Sequence, residues 1–260
     1  DKISVNGYIS EEALLSPANP STAQFEFKDA VLNYPYNILY PASADNVIRF
    51  AAEQNYVEGS FESGTTPMYA CVADASKGIN LKHLGAVLKF NLKGSGVILK
   101  SMTIKSGSGA IAGEFALDFA TGKITPSSAV STIDYSFGDG LALSAVQAKS
   151  FFVVMPSGDF GLCSAELHTT DERVMTVRFN TSANSALKAG VVREYNAVEF
   201  KAGEYYTLTP YGSEEDEIIV DNSAYVATPQ TIDGEWLVIN TPQELMWLCL
   251  NTPTLGGVEY

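Results

Sequence analysis

The feature that most constrains this chain is the shortness of its apolar runs. They recur every ten residues or so, and Gly, Ser, Asn, Asp or Pro separates each from the next. Runs this short cannot supply the stripe of a long helix, whereas period-2 alternation between turn residues is the mark of β-strands. The 13 Phe, 13 Tyr and 21 Gly residues agree with a β-rich chain. No window approaches the roughly 18 consecutive apolar residues of a membrane-spanning helix.

The strands can be placed one by one. Residues 25–27 and 47–50 alternate. Between them Tyr34, Pro35, Tyr36, Tyr40 and Pro41 form an aromatic run broken by two prolines, which reads as a sheet edge or an extended connection because Pro cannot donate to a ladder. Residues 81–92 give the strongest signal. Leu84, Ala86, Leu88, Phe90 and Leu92 share one face, and Val87 is alone as an apolar residue on the other. Leu88 and Phe90 are therefore expected in the core. Gly94-Ser-Gly96 then turns into residues 97–105, which predicts a β-hairpin. Further strands are expected at 113–118, 129–137, 141–144, 149–155, 162–169, 173–180 and 204–209. Residues 138–140 and 170–172 are read as turns. Residues 149–155 are apolar on both faces and are expected at a sheet centre. This spacing predicts a sandwich of antiparallel sheets.

The net charge is −14. Nucleic-acid binding is excluded, because phosphate neutralisation needs clustered Lys and Arg, and so is an anionic membrane face. The charge is uneven. Residues 201–260 hold ten acids and one base. Residues 210–221 are acidic without the spaced Asp/Asn pattern of a calcium loop, so they read as a solvated linker. Beyond it, residues 235–240 read as a strand. Thr241-Pro-Gln-Glu244 is a capping box opening a short helix with Leu245, Leu248 and Cys249 on its apolar stripe. A domain boundary is expected within residues 72–80, where the chain is turn-rich.

Catalytic signatures are scarce. Cys71, Cys163 and Cys249 are far apart and odd in number, with no disulfide or metal spacing, and read as buried thiols. His83 and His168 each read as structural. No Gly-x-Ser-x-Gly elbow occurs. Residues 107–113 carry glycines at the wrong spacing for a dinucleotide loop and read as a turn. No pair of carboxylates is singled out for glycoside chemistry. No catalytic residue, cofactor or metal ligand is assigned, so a binding or structural protein is expected. Tyr34, Tyr36 and Tyr40 could stack a sugar, but cover of a sheet edge is the first reading.

Several segments resemble the fimbrillin-like proteins of Bacteroidales, subunits of surface fimbriae. They are Asp1-Lys-Ile-Ser-Val5, Tyr34-Pro-Tyr36, Gln54-Asn-Tyr56-Val-Glu-Gly-Ser-Phe61, Pro67-Met68-Tyr-Ala70, Leu81-Lys-His-Leu-Gly-Ala-Val-Leu-Lys-Phe90, Ile111-Ala-Gly113, Phe151-Phe-Val-Val-Met-Pro156 and Phe200-Lys-Ala-Gly-Glu-Tyr-Tyr206. They follow the family's order over roughly residues 1–210. The resemblance implies two tandem transthyretin-like antiparallel β-sandwich domains, at 1–77 and 78–210. The first is incomplete, because the signal peptide, lipidated cysteine and opening strands of the family lie outside this sequence. An acidic linker at 211–234 and the start of a further module at 235–260 have no counterpart in that pattern. They suit a tip or anchor subunit more than a shaft subunit.

The implied function is a non-catalytic fimbrial subunit, exported as a lipoprotein to the outer membrane. It would join other subunits by β-strand addition and meet a host or bacterial glycan or protein receptor. A carbohydrate-binding surface lipoprotein is the alternative. The missing strands imply an open groove, which residues 235–240 could cover.

Overall fold

The computed structural model describes residues 1–16, 19–28, 30–74, 76, 78–211, 230–232 and 236–238. The chain forms two compact units, 1–213 and 214–260. Among the described residues it is all-β, with a single 3-10 turn at Ala183–Ser185.

The chain opens with β1 (Ser4–Val5) and β2 (Tyr8–Ile9), joined by a two-residue loop. Asn6 and Gly7 both have positive φ, 51° and 85°, as the primed hairpin turn demands. Strands β3 (Leu14–Ser16) and β4 (Asn19–Gln24) pair with each other. Then come β5 (Tyr36–Tyr40), β6 (Val47–Phe50), β7 (Glu53–Asn55), β8 (Met68–Val72) and β9 (Lys82–His83). The longer strands follow: β10 (Gly85–Lys93), β11 (Ile98–Lys105), β12 (Ala112–Asp118), β13 (Lys123–Val130), β14 (Thr132–Ala142), β15 (Lys149–Pro156), β16 (Leu162–Thr169) and β17 (Val174–Asn180). Three short strands, β18 (Val192–Glu194), β19 (Val198–Glu199) and β20 (Tyr205–Thr207), complete the first unit.

Beside the β3–β4 pair, these strands build four sheets in layers. The six-stranded sheet has the order β20-β17-β16-β11-β14-β7. Facing it is a smaller sheet in which β10 lies between β15 and the pair β18 and β19. The core between them holds Leu88, Phe90, Met102, Ile104, Phe151, Leu167 and Phe179, all at most 2% exposed. Phe90 meets the rings of Phe151, Phe179 and Tyr195 at 5.4–5.6 Å. The other face of β10 and β15 carries Val87 and Val154 into a second core. That core also receives Phe115 and Ile48 from the sheet β13-β12-β6, and Leu39 and Tyr69 from the sheet β2-β1-β5-β8-β9. A third cluster packs Ile38, Ala70 and Val72 against Phe25, Phe27 and Leu32.

The middle sheet is therefore buried on both faces. A Cβ on Gly85 would lie 2.7 Å from Phe50 Cε1 and 2.8 Å from Met155 O, so only glycine permits this approach. The polar members of β10 are paired as burial requires. Lys89 meets Glu194 at 2.8 Å, and Asn91 Nδ2 donates to Tyr195 O at 2.8 Å.

Several expectations are corrected. Residues 81–92 and 97–105 do not form a hairpin. β10 pairs with β15, and β11 pairs with β14 and β16 in the opposite sheet, so Gly94-Ser-Gly96 carries the chain across the core. Within β11 a bulge at Lys100 brings Leu99 onto the face of Met102 and Ile104 and leaves Ile98 43% exposed. Gly138-Asp-Gly140 is not a turn between strands but an irregularity inside β14. Residues 25–27 pack as irregular chain, not as a strand. β15 is buried on both faces, yet it is an edge strand and not central. β18 and β19 pair in parallel with β10, as β7 does with β14 and β20 with β17, so the sheets are mixed.

Strands from the first 77 residues enter the later sheets: β6 pairs with β12, and β7 with β14. The turn-rich segment 72–80 thus lies inside one compact unit. In the second unit, β21 (Gln230–Ile232) and β22 (Trp236–Val238) form an antiparallel pair, so three residues assigned to the acidic linker are strand. The capping box, the short helix and Cys249 lie outside the described residues.

Candidate functional site

The tyrosine run is not at an edge. β5 pairs with β1 on one side and β8 on the other, and the two prolines flank it instead of interrupting it. Tyr36 and Tyr40 turn with Ile38 into the third cluster. Tyr34 stacks on Tyr36 at 3.9 Å with 15° between the planes, which occupies one face of that ring. Burial, then the neighbouring Tyr36, raises the Tyr34 phenol above its ordinary value. The edge-cover reading is overturned, and the ring faces needed for a sugar are largely used in packing.

The edges lie elsewhere. β2 carries Tyr8 and Ile9, 49% and 48% exposed. β15 is closed in a specific way. Gln54 is 4% exposed, and its side-chain amide accepts from Val154 N at 2.9 Å and donates to Val154 O at 2.8 Å. One glutamine thus does for β15 what a residue of a neighbouring strand would do. β13, as long as β15 at eight residues, is paired only with β12 among the described residues and is exposed over most of its length. Pro126 sits within it, where an edge tolerates proline.

A cleft of about 260 Å3 lies between Tyr40, Pro41, Ser43, Arg49, Thr65 and Pro67. At its rim the Arg49 guanidinium meets Asp45 through Nη2 at 2.7 Å and Nη1 at 3.2 Å, and Glu114 through Nε at 3.1 Å. Arg49 first, with Ser43 Oγ and the Val47 amide, holds the Asp45 carboxyl well below its ordinary range. The donors of Arg49 are consumed by this clamp, which ties β6 and the segment before it to β12.

Of the residues weighed for chemistry, His83 is exposed on β9. His168 Nε2 lies 2.8 Å from Glu166 Oε1 on the outer face of β16. Of residues 107–113, read as a turn, 107–109 form the bend between β11 and β12, and Ala112 and Gly113 already belong to β12. Cys163 is buried and its thiol is raised by that burial, whereas Cys71 is exposed, contrary to expectation. Among the described residues no three metal-capable side chains converge. Among the described residues, the structure does not bring the histidines, cysteines or tyrosines together into one site. The sequence reading gave no role to Gln54 or to the Arg49 clamp. Gln54 falls within one of the family-like segments, and that was its available signal.

No protein-family model matches the chain. Solved structures with a similar trace include a "putative cell adhesion protein" from Bacteroides uniformis ATCC 8492, at 13% identity and TM-score 0.47, with 77% of this chain and 86% of that one covered. Another of the same description from Bacteroides fragilis NCTC 9343 gives 13% and 0.45 over 84% and 86%. The tip fimbrial protein Mfa3 of Porphyromonas gingivalis, with a C-terminal truncation, gives 8% and 0.35 over 78% and 88%.

Proposed function

We propose that this chain is a non-catalytic fimbrial or adhesive subunit of a bacterial cell surface, joined to other subunits by strand addition. The observation that carries the reading is β13, an eight-residue edge strand with one side unpaired among the described residues. Such an edge offers a row of amides and carbonyls to an incoming strand. Main-chain hydrogen bonds then supply affinity, and alternate side chains supply specificity. The ordered run of fimbrillin-like segments supports the same reading. Export as a lipoprotein, the outer membrane and a tip or anchor position belong to the proposal through that resemblance, as does the division into domains at 1–77 and 78–210.

The edge can be tested without touching the ladder to β12. Ile111 N donates to Val130 O at 2.8 Å, so Val130 faces β12, and in an antiparallel pair Ala129 turns its N–H to the open side. Ala129→Pro should abolish concentration-dependent association of the full chain, measured by light scattering, while the thermal midpoint stays within a few degrees. A wild-type chain that is monomeric at every concentration, or a variant that associates equally well, rejects addition at β13. A second reading, a carbohydrate-binding surface protein, is favoured by the outer face of the six-stranded sheet.

A further inference from the structure

The registers of the six-stranded sheet place six residues in one row on the face away from the core. Tyr205 pairs with Thr176, Thr176 with Glu166, Glu166 with Thr103, Thr103 with Asp134, and Asp134 with Glu53. Five strand steps of about 4.8 Å make the row roughly 24 Å long. Its members are held in place. Thr103 Oγ1 donates to Asp134 Oδ1 at 2.8 Å, and Glu166 is fixed by His168. At the β7 end the small Ser101 and Ser136 leave a groove of about 380 Å3, with Glu53, Asn55, Thr103 and Asp134 around it. At the β20 end Tyr205 is 69% exposed, and the Arg178 guanidinium lies 5.3 Å from its ring centroid.

The chemistry of this face selects its occupant. It lacks the apolar centre of a protein interface and the clustered cations that nucleic acid requires. The carboxylates of Glu53, Asp134 and Glu166 are largely offset by Arg178 and Lys105 on the same face, in a chain whose net charge is −14. A near-balanced face dense in hydroxyls, carboxylates and an amide complements a ligand with many neutral hydroxyl donors and acceptors. One planar exposed ring adds a surface for the apolar face of a pyranose. We infer that this row binds a neutral oligosaccharide lying across the strands, with one sugar ring stacked on Tyr205 and its hydroxyls held by Thr176, Glu166, Thr103 and Asp134. The inference rests on the carbohydrate-binding reading and is independent of strand addition.

The test is binding of the full chain to an array of neutral, sialylated and sulfated oligosaccharides, followed by calorimetry with the best neutral one. Neutral oligosaccharides should be retained. Tyr205→Ala, at an exposed position, should weaken the calorimetric affinity at least tenfold, and Glu166→Gln and Thr103→Val severalfold each. Ala129→Pro should leave it unchanged, which separates failure of this site from failure of assembly at β13. Retention of acidic glycans alone, no retention, or equal affinity in wild type, Tyr205→Ala and Glu166→Gln would each overturn the assignment.

Discussion

Gln54 shows how much can depend on a single polar side chain. Its amide satisfies both main-chain groups of Val154, a residue one hundred positions later in the sequence. Gln54→Leu keeps the bulk and deletes the partner, which strands a buried N–H and a buried C=O. At about 1–3 kcal/mol for each unsatisfied group, the expected loss is roughly 2–6 kcal/mol in a urea melt. A loss under about 0.5 kcal/mol would mean that water replaces the amide. Asp45 gives a pH-dependent counterpart. Its folded carboxyl lies below the ordinary value of 3.8, so the clamp's stabilisation is fully present above that pH. It fades as pH falls below it toward the folded value. Asp45→Asn should therefore lower the urea midpoint at pH 6, and the gap to wild type should shrink by pH 3. A gap that is constant or wider in acid contradicts the clamp. The pair is exposed, and the effect at pH 6 should be modest.

At the scale of elements, the sequence was legible wherever a strand has one wet face. β16 and β17 alternate cleanly, and the turn between them was placed from Thr170-Asp-Glu172 alone. Alternation fails where both faces are dry or the register slips. β10 hides its second face because Gly85, Lys89 and Asn91 look solvent-facing, yet Gly85 is there for close approach, Asn91 is bonded in the interior and the partly exposed Lys89 pairs with Glu194. The bulge in β11 moved Leu99 across the sheet, which no period-2 count could foresee. β18 and β19 are too short to carry a pattern at all. Of the segments weighed for chemistry, 107–113 was legible as a non-site, though only 107–109 bend and Ala112 and Gly113 are strand. The tyrosine run was misread because prolines that flank a strand look, in sequence, like prolines that break one. Between β8 and β9 the described residues Ala73, Asp74, Ser76 and Gly78 are exposed, which makes this stretch a good target for protease. Limited proteolysis should cut there early. The two products should then co-elute in gel filtration, because β6 and β7 stay paired with β12 and β14. Separate elution would mean that these ladders do not hold.

At the scale of the whole molecule, the second unit is the part whose role is least dictated by packing. β22 is paired with β21, and among the described residues no strand lies on its other side. If the tail shields an edge of the body, removing residues 211–260 should raise self-association across a dilution series. Equal behaviour of the truncated and full chains would remove the shielding role. The exchange of strands between early and late segments also sets an order of events for a chain entering an aqueous compartment from one end. Ile48, Phe50 and Leu39 close their core only with Val87, Phe115 and Val154. Those late partners must arrive before Leu39, Ile48 and Phe50 can be buried. High sequence separation of native contacts slows folding and lengthens exposure of sticky intermediates. Leu39, Ile48 and Phe50 therefore wait for β10, β12 and β15, whereas Ile3, Ile38, Ala70 and Val72 can close their own cluster within the first 81 residues.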